Sequence, residues 1–311
     1  GSDNASDFNV ALGELAMGTG TVAGATNNVA VGYKALEDIT DGEKNIAIGA
    51  SAGASITTGD HNIAIGFQAL DAEDTQGQNV AIGSFALTTL DAGGSGNNVA
   101  VGYNAGNAMT TGTSNTIVGS TAGDGLTDKI GNTAIGGGAL GGGSAACSYA
   151  TAVGFGALGS NASSNDLDAA VAIGAQALYS ASSAQENVAV GGYAMKELQT
   201  GDGNIAIGLS ALQVHTTGSR NIAIGANAMK DTDGGAITSG SIATILASND
   251  NMFIGYNSGS GNWCNGGAAA ASEYNVAVGN WTMDGALQGA NRNTCVGYNS
   301  LTAITTGDQN V

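Results

Sequence analysis

Proline is absent from this 311-residue chain, and basic, aromatic and cysteine residues are scarce. Seven lysine and arginine residues are outnumbered by 25 aspartate and glutamate residues, which leaves a formal net charge of −18. A polyanion of this kind repels phosphate, so the composition excludes nucleic acid as a partner. No stretch reaches about 18 apolar residues, and we therefore expect no membrane insertion. The acidic balance favours a location outside the cytosol.

The scarce residue types form no chemical motif. Cys147, Cys264 and Cys295 are odd in number and have no metal-ligand spacing, so the sequence does not predict a disulfide framework. Cys295 is interpreted as a small buried residue, and Cys264 could pair with a neighbour in the inserted segment that it occupies. His61 and His215 lie in turn segments without a pattern such as His-x-x-x-His, and we interpret both as solvated turn residues. The sequence predicts no catalytic residue and no cofactor, and the protein is not expected to be an enzyme.

A short phrase recurs sixteen times along the chain: Asn, Val or Ile, Ala, Val or Ile, Gly, two variable residues, then Ala-Leu. We number its positions one to nine in that order. The copies that begin at Asn28, Asn45, Asn62 and Asn79 lie 17 residues apart, which is too short for helical-hairpin repeats or propeller blades of about 30 to 50 residues. The sequence therefore predicts an all-β fold, a parallel β-solenoid of about 16 coils with a 17-residue period.

Side chains alternate between the two faces of a strand, so each position of the phrase forms a column on one face. Positions two and four are mostly aliphatic, and we assign them to the interior of the coil. Position three then faces outward, yet it is alanine in most copies, which indicates that another surface covers it closely. The same face of identical chains around a symmetry axis is the simplest cover. We therefore predict a homotrimer whose axis is lined by Ala30, Ala47, Ala64, Ala81, Ala206 and Ala223.

Two further columns carry a structural expectation. Glycine at position five implies either a backbone bend that a Cβ would obstruct or a close approach between chains. Asparagine at position one predicts a ladder of stacked side-chain amides, and the alternative is that each asparagine only holds a turn. Both pairs of interpretations remain open from the sequence.

The spacing of the phrase divides the chain into three segments. Residues 1–230 form a regular array, residues 231–275 contain two longer insertions, and residues 276–311 form a regular array that stops within a repeat. Insertions in a solenoid form loops on its outer surface, where binding residues are commonly found. We therefore look for a binding site in the middle segment.

Four aromatic residues lie in or beside these insertions: Trp263, Trp281, Tyr256 and Tyr274. Exposed aromatic rings stack on sugars and anchor interfaces, so the four are predicted receptor contacts. The alternative is that they fill a gap where the coil widens. The aromatic residues that recur at position six elsewhere are interpreted as packing residues.

Acidic residues offer two other interpretations. Glu43, Asp60, Asp202 and Asp308 share one column, two residues before the asparagine of the following phrase. Ca²⁺ binding by these turns is one interpretation, although the Gly-Gly-x-Gly-x-Asp pattern of calcium-binding rolls is missing. The other is a solenoid enzyme that degrades polysaccharide, which needs two carboxylates about 5 to 9.5 Å apart. Its candidates, which form no cleft pattern, are Asp231, Asp233, Asp250, Glu186 and Glu197.

Residues 57–70 read TTGDHNIAIGFQAL. This phrase resembles the repeats of phage tail-fibre proteins and of the head domains of trimeric autotransporter adhesins, and the resemblance covers nearly the entire chain. It implies a left-handed parallel β-roll assembled as a homotrimer, an adhesive rod that attaches to a glycan or protein receptor on a cell surface. The 17-residue period and the Thr-Thr-Gly turn favour an extracellular virion tail fibre; the alternative is an adhesin on a bacterial cell surface.

Overall fold

The structure is a computed structural model that describes residues 8–18, 24–72, 75, 77–91, 93, 95–142, 147–159, 167–232, 247–263 and 271–311. The described residues form sixteen strands of three residues each with turns between them, and no helix occurs among them. In this part of the chain there is accordingly no helix of the length and hydropathy that crossing a membrane requires.

The chain divides into two compact units, Gly1–Tyr149 and Ala150–Val311. The strands of the first unit are β1 (Val10–Leu12), β2 (Val29–Val31), β3 (Ile46–Ile48), β4 (Ile63–Ile65), β5 (Val80–Ile82), β6 (Val99–Val101), β7 (Thr116–Val118) and β8 (Thr133–Ile135). The strands of the second unit are β9 (Thr151–Val153), β10 (Val171–Ile173), β11 (Val188–Val190), β12 (Ile205–Ile207), β13 (Ile222–Ile224), β14 (Met252–Ile254), β15 (Val276–Val278) and β16 (Thr294–Val296).

Each strand consists of positions two to four of one repeat and pairs in parallel with the strands of adjacent repeats in its unit. In the first unit Ala47 lies opposite Ala64, and in the second Ala206 lies opposite Ala223. This register, with partners 17 residues apart, confirms the predicted parallel β-solenoid and its period. The longer spacing before β14 leaves the columns intact, because Phe253 still pairs with Ala223.

Within both units the structure reverses the predicted faces of the strand. The six alanines predicted to line a trimer axis are at most 1% exposed inside their own coil: Ala30, Ala47, Ala64, Ala81, Ala206 and Ala223. Positions two and four point outward instead, and Ile48 and Ile207 are 40% and 39% exposed. A side chain enclosed by its own chain cannot line an axis between chains, so the prediction of these alanines as axis residues is wrong.

The interior of each coil combines small and large side chains. In the repeat of β2 it holds Ala30 at position three, Ala35 and Leu36 at positions eight and nine, and Ile39 three residues further on, all fully buried. Position eight therefore also faces the core. Alanine, leucine and isoleucine rather than aromatic rings fill this interior, which explains how a chain with 5% aromatic residues can form a packed core.

Position three shares its interior space with position nine. Ile117 and Phe253 replace alanine at position three, and each has glycine in place of leucine at position nine of the same repeat. A Cβ on Gly123 would lie 2.9 Å from Ile117 Cδ1, and a Cβ on Gly259 would lie 2.5 Å from Phe253 Cδ1. The larger side chain thus occupies the volume that leucine fills in other repeats, as close packing requires.

This exchange of volume predicts a strong coupling between Ile117 and Gly123. We expect Ile117→Ala alone to lower the free energy of unfolding by about 2–4 kcal/mol through a cavity, and Gly123→Leu alone to lower it by about 1–3 kcal/mol through overpacking. The double variant restores the Ala/Leu pair of other repeats. Leucine can adopt the backbone conformation at position 123, because the φ of Gly123 is 60° and that of Leu36, at position nine of its own repeat, is 50°. Urea denaturation of all four proteins measures the coupling; additive losses would contradict the shared volume.

Glycine at position five allows the chain to bend where each strand ends. Gly66 has a φ of +137°, and a Cβ on it would lie 2.5 Å from the carbonyl carbon and oxygen of Gly83 in the next repeat. The bend that a Cβ would obstruct is therefore confirmed. The close approach occurs between successive repeats of one chain.

The asparagines at position one form a buried ladder that also holds the turns. The backbone N–H of Asn45 donates to Asn28 Oδ1 at 2.8 Å, and its side-chain Nδ2 donates to the same oxygen at 3.2 Å and to the carbonyl of Gly59 at 2.7 Å. The predicted ladder is thus confirmed, and the same asparagines also hold the turns. In the second unit Ala150 and Ala170 take the place of asparagine.

Removal of one ladder amide should cost several hydrogen bonds at once. Asn204 Nδ2 donates to the Gly218 carbonyl at 2.8 Å, and its Oδ1 accepts the backbone N–H of Asn221 at 2.9 Å. Asn204→Ala leaves both buried groups unsatisfied, and we expect a loss of about 2–5 kcal/mol in the free energy of unfolding. Gln199→Ala, which removes an exposed amide from the same unit, is the control, with an expected change within about 0.5 kcal/mol. Equal losses in urea denaturation would argue against the ladder.

Candidate assembly interface

The outward side chains of positions two and four form an aliphatic stripe in each unit. We define the stripe as the first and third residues of β1–β8 in the first unit and of β9–β16 in the second. The members with the most exposed side chains are Val10, Leu12, Ile48, Val118, Ile135, Ile173, Ile207 and Val296. Apart from four threonines, every member is Val, Ile, Leu or Met. A single chain therefore leaves an apolar row in contact with water.

No charged side chain belongs to the aliphatic stripe of either unit. The charged residues of the repeats lie in the turns, where lysines pair with neighbouring acids: Lys34 Nζ lies 3.0 Å from Glu37 Oε2, and Lys44 Nζ lies 3.1 Å from Glu43 Oε2. Against a net charge of −18, the stripe is a neutral surface. Two copies of the chain repel each other least where they meet along it.

Aromatic rings at positions six and seven follow the stripe directly after the bend glycine. In the first unit, Phe67, Phe85 and Tyr103 belong to three successive repeats, with ring centroids 5.2 and 6.1 Å apart and nearly perpendicular planes. In the second unit Tyr256 and Trp281 make the same edge-to-face contact at 5.3 Å. We call these two groups the aromatic rows. Phe67, Tyr103 and Tyr256 are exposed.

The four predicted receptor contacts occupy different environments. Trp263 is only 2% exposed, packs against Phe253 with ring centroids 5.6 Å apart, and donates its indole N–H to the carbonyl of Gly259. It fills the interior, as the alternative interpretation held, and the prediction that its ring is exposed is wrong. Trp281 is half-buried and Tyr256 exposed, both in an aromatic row. The fourth residue, Tyr274, is exposed elsewhere, in the turn column that precedes the asparagines.

The acidic column forms a second ladder on the outside of the turns. Asp60 Oδ1 accepts the backbone N–H of Glu43 at 2.7 Å, and Asp202 Oδ1 accepts that of Gln185 at 2.9 Å. Asp308 does the same for Asn291 in the last repeat. These carboxylates connect repeats to each other. Among the described residues, no group of three His, Cys, Asp or Glu side chains could hold a metal ion, so the geometry offers no support for Ca²⁺ at these turns.

Two of the candidate carboxylates for polysaccharide cleavage have cationic partners. Asp250 forms a two-pronged ion pair with Arg220 at 2.7 and 2.8 Å, and this hydrogen bonding holds the pKa of the Asp250 carboxyl below its ordinary value. An ionised carboxylate cannot donate the proton that the leaving group needs. Glu197 lies 3.4 Å from Lys196 Nζ, and Asp233 is outside the described residues.

The two histidines differ from one another. His61 is exposed in a turn, as predicted. His215 is fully buried, with Nδ1 2.6 Å from Thr232 Oγ1 and Nε2 3.2 Å from Asn221 Nδ2; its interpretation as a solvated residue is wrong. The signal was present in the sequence, because His215 lies eleven residues after Asn204, at the place where earlier repeats have the buried residues Ile56, Met109 and Leu126.

Cys295 is buried, as predicted, and Cys147 is buried as well, whereas Cys264 lies outside the described residues. Burial raises the pKa of the Cys295 thiol, so the thiol stays protonated and unreactive near neutral pH. We expect iodoacetamide at pH 8 to modify at most one cysteine of the native chain and all three in urea, as measured by intact mass. Rapid modification of Cys147 or Cys295 in the native protein would contradict the fold around them.

Comparison of the chain with family models, with curated proteins and with solved structures found no match in any of the three.

Proposed function

We propose that this protein is a segment of a homotrimeric fibre, a structural and adhesive rod that attaches to a cell surface. Each chain contributes a left-handed β-roll, and the aliphatic stripes of three chains meet at a common axis. The observation that carries the proposal is the exposed stripe itself, which is apolar and uncharged on a strongly acidic chain. The predicted trimer thus remains, but its contact surface moves from alanine to valine and isoleucine.

The area of the stripe suits an interface between chains. Full burial of a valine or isoleucine side chain removes roughly 60–120 Å² from water. Most of the sixteen stripe residues of one unit are less exposed than Ile48, which is 40% exposed, so together they expose at most roughly 400–800 Å² of side-chain surface. The largest apolar patch on a typical monomer is about 300–600 Å², and a stable interface buries about 800 Å² per partner. The stripe of each unit is therefore comparable with the largest apolar patches on monomers, which often mark an interaction site.

Identical chains are the partner that the charge distribution favours. A receptor with a basic surface would be drawn to the acidic turns and away from the neutral stripe. A second copy of the chain carries the same negative charge, so the acidic turns of the two copies repel each other. The neutral stripe is the surface along which the copies can approach. Closed rotational symmetry then buries every stripe equally, and three is the number that the resemblance to tail fibres and adhesins implies.

The mass of the protein in solution tests the assembly. The chain has a mass of 30.0 kDa, and we expect light scattering or native mass spectrometry to give about three times this value. A monomer at micromolar concentration would overturn the proposal. A dimer would retain the stripe as an interface and overturn the threefold fibre.

A phage tail fibre is the form of this function that we favour, with the head of a bacterial adhesin as the alternative. The 17-residue phrase with its Thr-Thr-Gly turn supports the first. The adhesive role predicts binding of the purified assembly to intact host cells without shortening of their surface polysaccharide. Release of shorter saccharides would overturn the passive role and favour a solenoid enzyme.

A further inference from the structure

The aliphatic stripe alone cannot determine how neighbouring chains align along the axis. In the first unit, positions two and four are Val or Ile in every strand from β2 to β6. A slide of one chain by a single repeat, about 4.8 Å, brings the same kinds of side chain back into contact. A surface with so few distinguishing residues specifies its register weakly. Chains held by the stripe alone would therefore assemble in several registers.

Position six of the same repeats is not uniform. Between the repeats of β2 and β7 it alternates between a large ring and a small residue, in the order Tyr33, Ala50, Phe67, Ser84, Tyr103 and Ser120. Where position six is Ser84, the ring of Phe85 occupies position seven and contacts the rings of the repeats before and after it. Position six thus distinguishes each of these repeats from its immediate neighbours on an otherwise uniform surface.

The row is suited to contact a neighbouring chain. Phe67 and Tyr103 are 47% and 54% exposed in the single chain, and each begins only two residues after a stripe side chain. Edge-to-face contacts within the row order the rings before any partner arrives, which lowers the entropy lost on association. The second unit has its own mark, in which Tyr256 at position six contacts Trp281 at position seven.

We propose that the aromatic rows set the axial register in which identical chains assemble; this inference rests on the homotrimer of the proposed function. In the matched register, the position-six rings of all chains lie at one level and the small position-six residues at the next, so that closed symmetry and close packing are both satisfied. A chain displaced by one repeat places its position-six rings at the level of its neighbours' small position-six residues. The displaced register is excluded by voids and clashes, which act as repulsive elements against a wrong alignment.

An exchange of residues between neighbouring repeats tests the proposal. The variant Phe67→Ser, Gln68→Phe, Ser84→Phe, Phe85→Gln exchanges positions six and seven between two neighbouring repeats without a change in composition. Wild-type and variant chains, distinguished by mass, are unfolded together, refolded and analysed by native mass spectrometry. We expect mixed trimers to be depleted about five-fold or more relative to the statistical 1:3:3:1 distribution. The control exchange His61→Gln, Gln78→His, in an exposed turn column of the same repeats, should mix statistically.

The outcomes separate this inference from the proposed function. Statistical mixing of wild-type and exchanged chains would overturn the register proposal while the trimer stands. Absence of trimers in the wild-type protein would overturn the proposed function first. If the exchanged chain forms no trimers by itself, the variant Tyr256→Asn, Asn280→Tyr in the second unit decides by the same measurement, and statistical mixing of that variant overturns the proposal.

Discussion

An Ile48→Asp chain is expected to remain monomeric at concentrations at which the wild-type protein forms the proposed trimer. Ile48 is 40% exposed in the single chain, so the coil itself tolerates a polar side chain there. In the proposed trimer the same position would face two other copies, and three carboxylates would have to lose water near one axis without a cationic partner. We expect the dissociation constant to rise by at least about 1,000-fold, equivalent to about 4 kcal/mol.

Sedimentation velocity over a range of concentrations measures this effect, with circular dichroism to show that the strand content is unchanged. The matched control is His61→Asp, which adds the same charge to an exposed turn of the neighbouring repeat. Ile207→Asp repeats the test in the second unit. A trimer that survives the stripe substitutions with an unchanged dissociation constant would show that the stripe is not the interface.

A single methyl group at Gly66 is expected to lower the free energy of unfolding by at least about 4 kcal/mol, a loss that is exceptional for a point variant. In Gly66→Ala the new Cβ would lie 2.5 Å from the backbone of Gly83, and the φ of +137° is one that alanine rarely adopts. Neither difficulty can be relieved by rotating a side chain. The adjoining repeats must separate or the bend must change.

Gly138→Ala in the same unit provides the comparison. Gly138 has a φ of +63° and nothing lies within 4 Å of its added Cβ, so we expect only the backbone cost of about 1 kcal/mol. Urea denaturation of both variants measures the difference. If the two substitutions were equally tolerated, successive repeats would not approach each other as closely at position five as the structure indicates.

The period, the parallel strands, the bend and the ladder could be predicted from the sequence because each depends on one residue type at one position. Which face of the strand points into the coil could not be predicted, since a two-residue alternation of side chains fits either assignment of the faces. Aliphatic side chains were assigned to the interior because most proteins bury them. In this coil Ala35, Leu36 and Ile39 already occupy the interior, which leaves room for only an alanine at position three.

Pairs of residues carried the information that single columns lacked. Ile117 lies against Gly123, and Phe253 against Gly259, so positions three and nine share one interior. Likewise, the burial of Trp263 depends on contacts with Phe253 and Gly259 that sequence spacing does not reveal. The six alanines predicted to line an axis therefore lie on the wrong face of the strand.

Because successive repeats pair in the same way, the number of repeats in the chain can change without a change in the pairing. Ile46 N–H donates to the Asn62 carbonyl and Ile63 N–H to the Asn79 carbonyl, both at 2.8 Å, so successive junctions within this stretch of the first unit are interchangeable. Deletion or tandem duplication of one complete 17-residue module would re-create the junction it interrupts, whereas gain or loss of a partial module would shift every following column. Descendants of this gene are therefore free to lengthen or shorten in steps of about 4.8 Å.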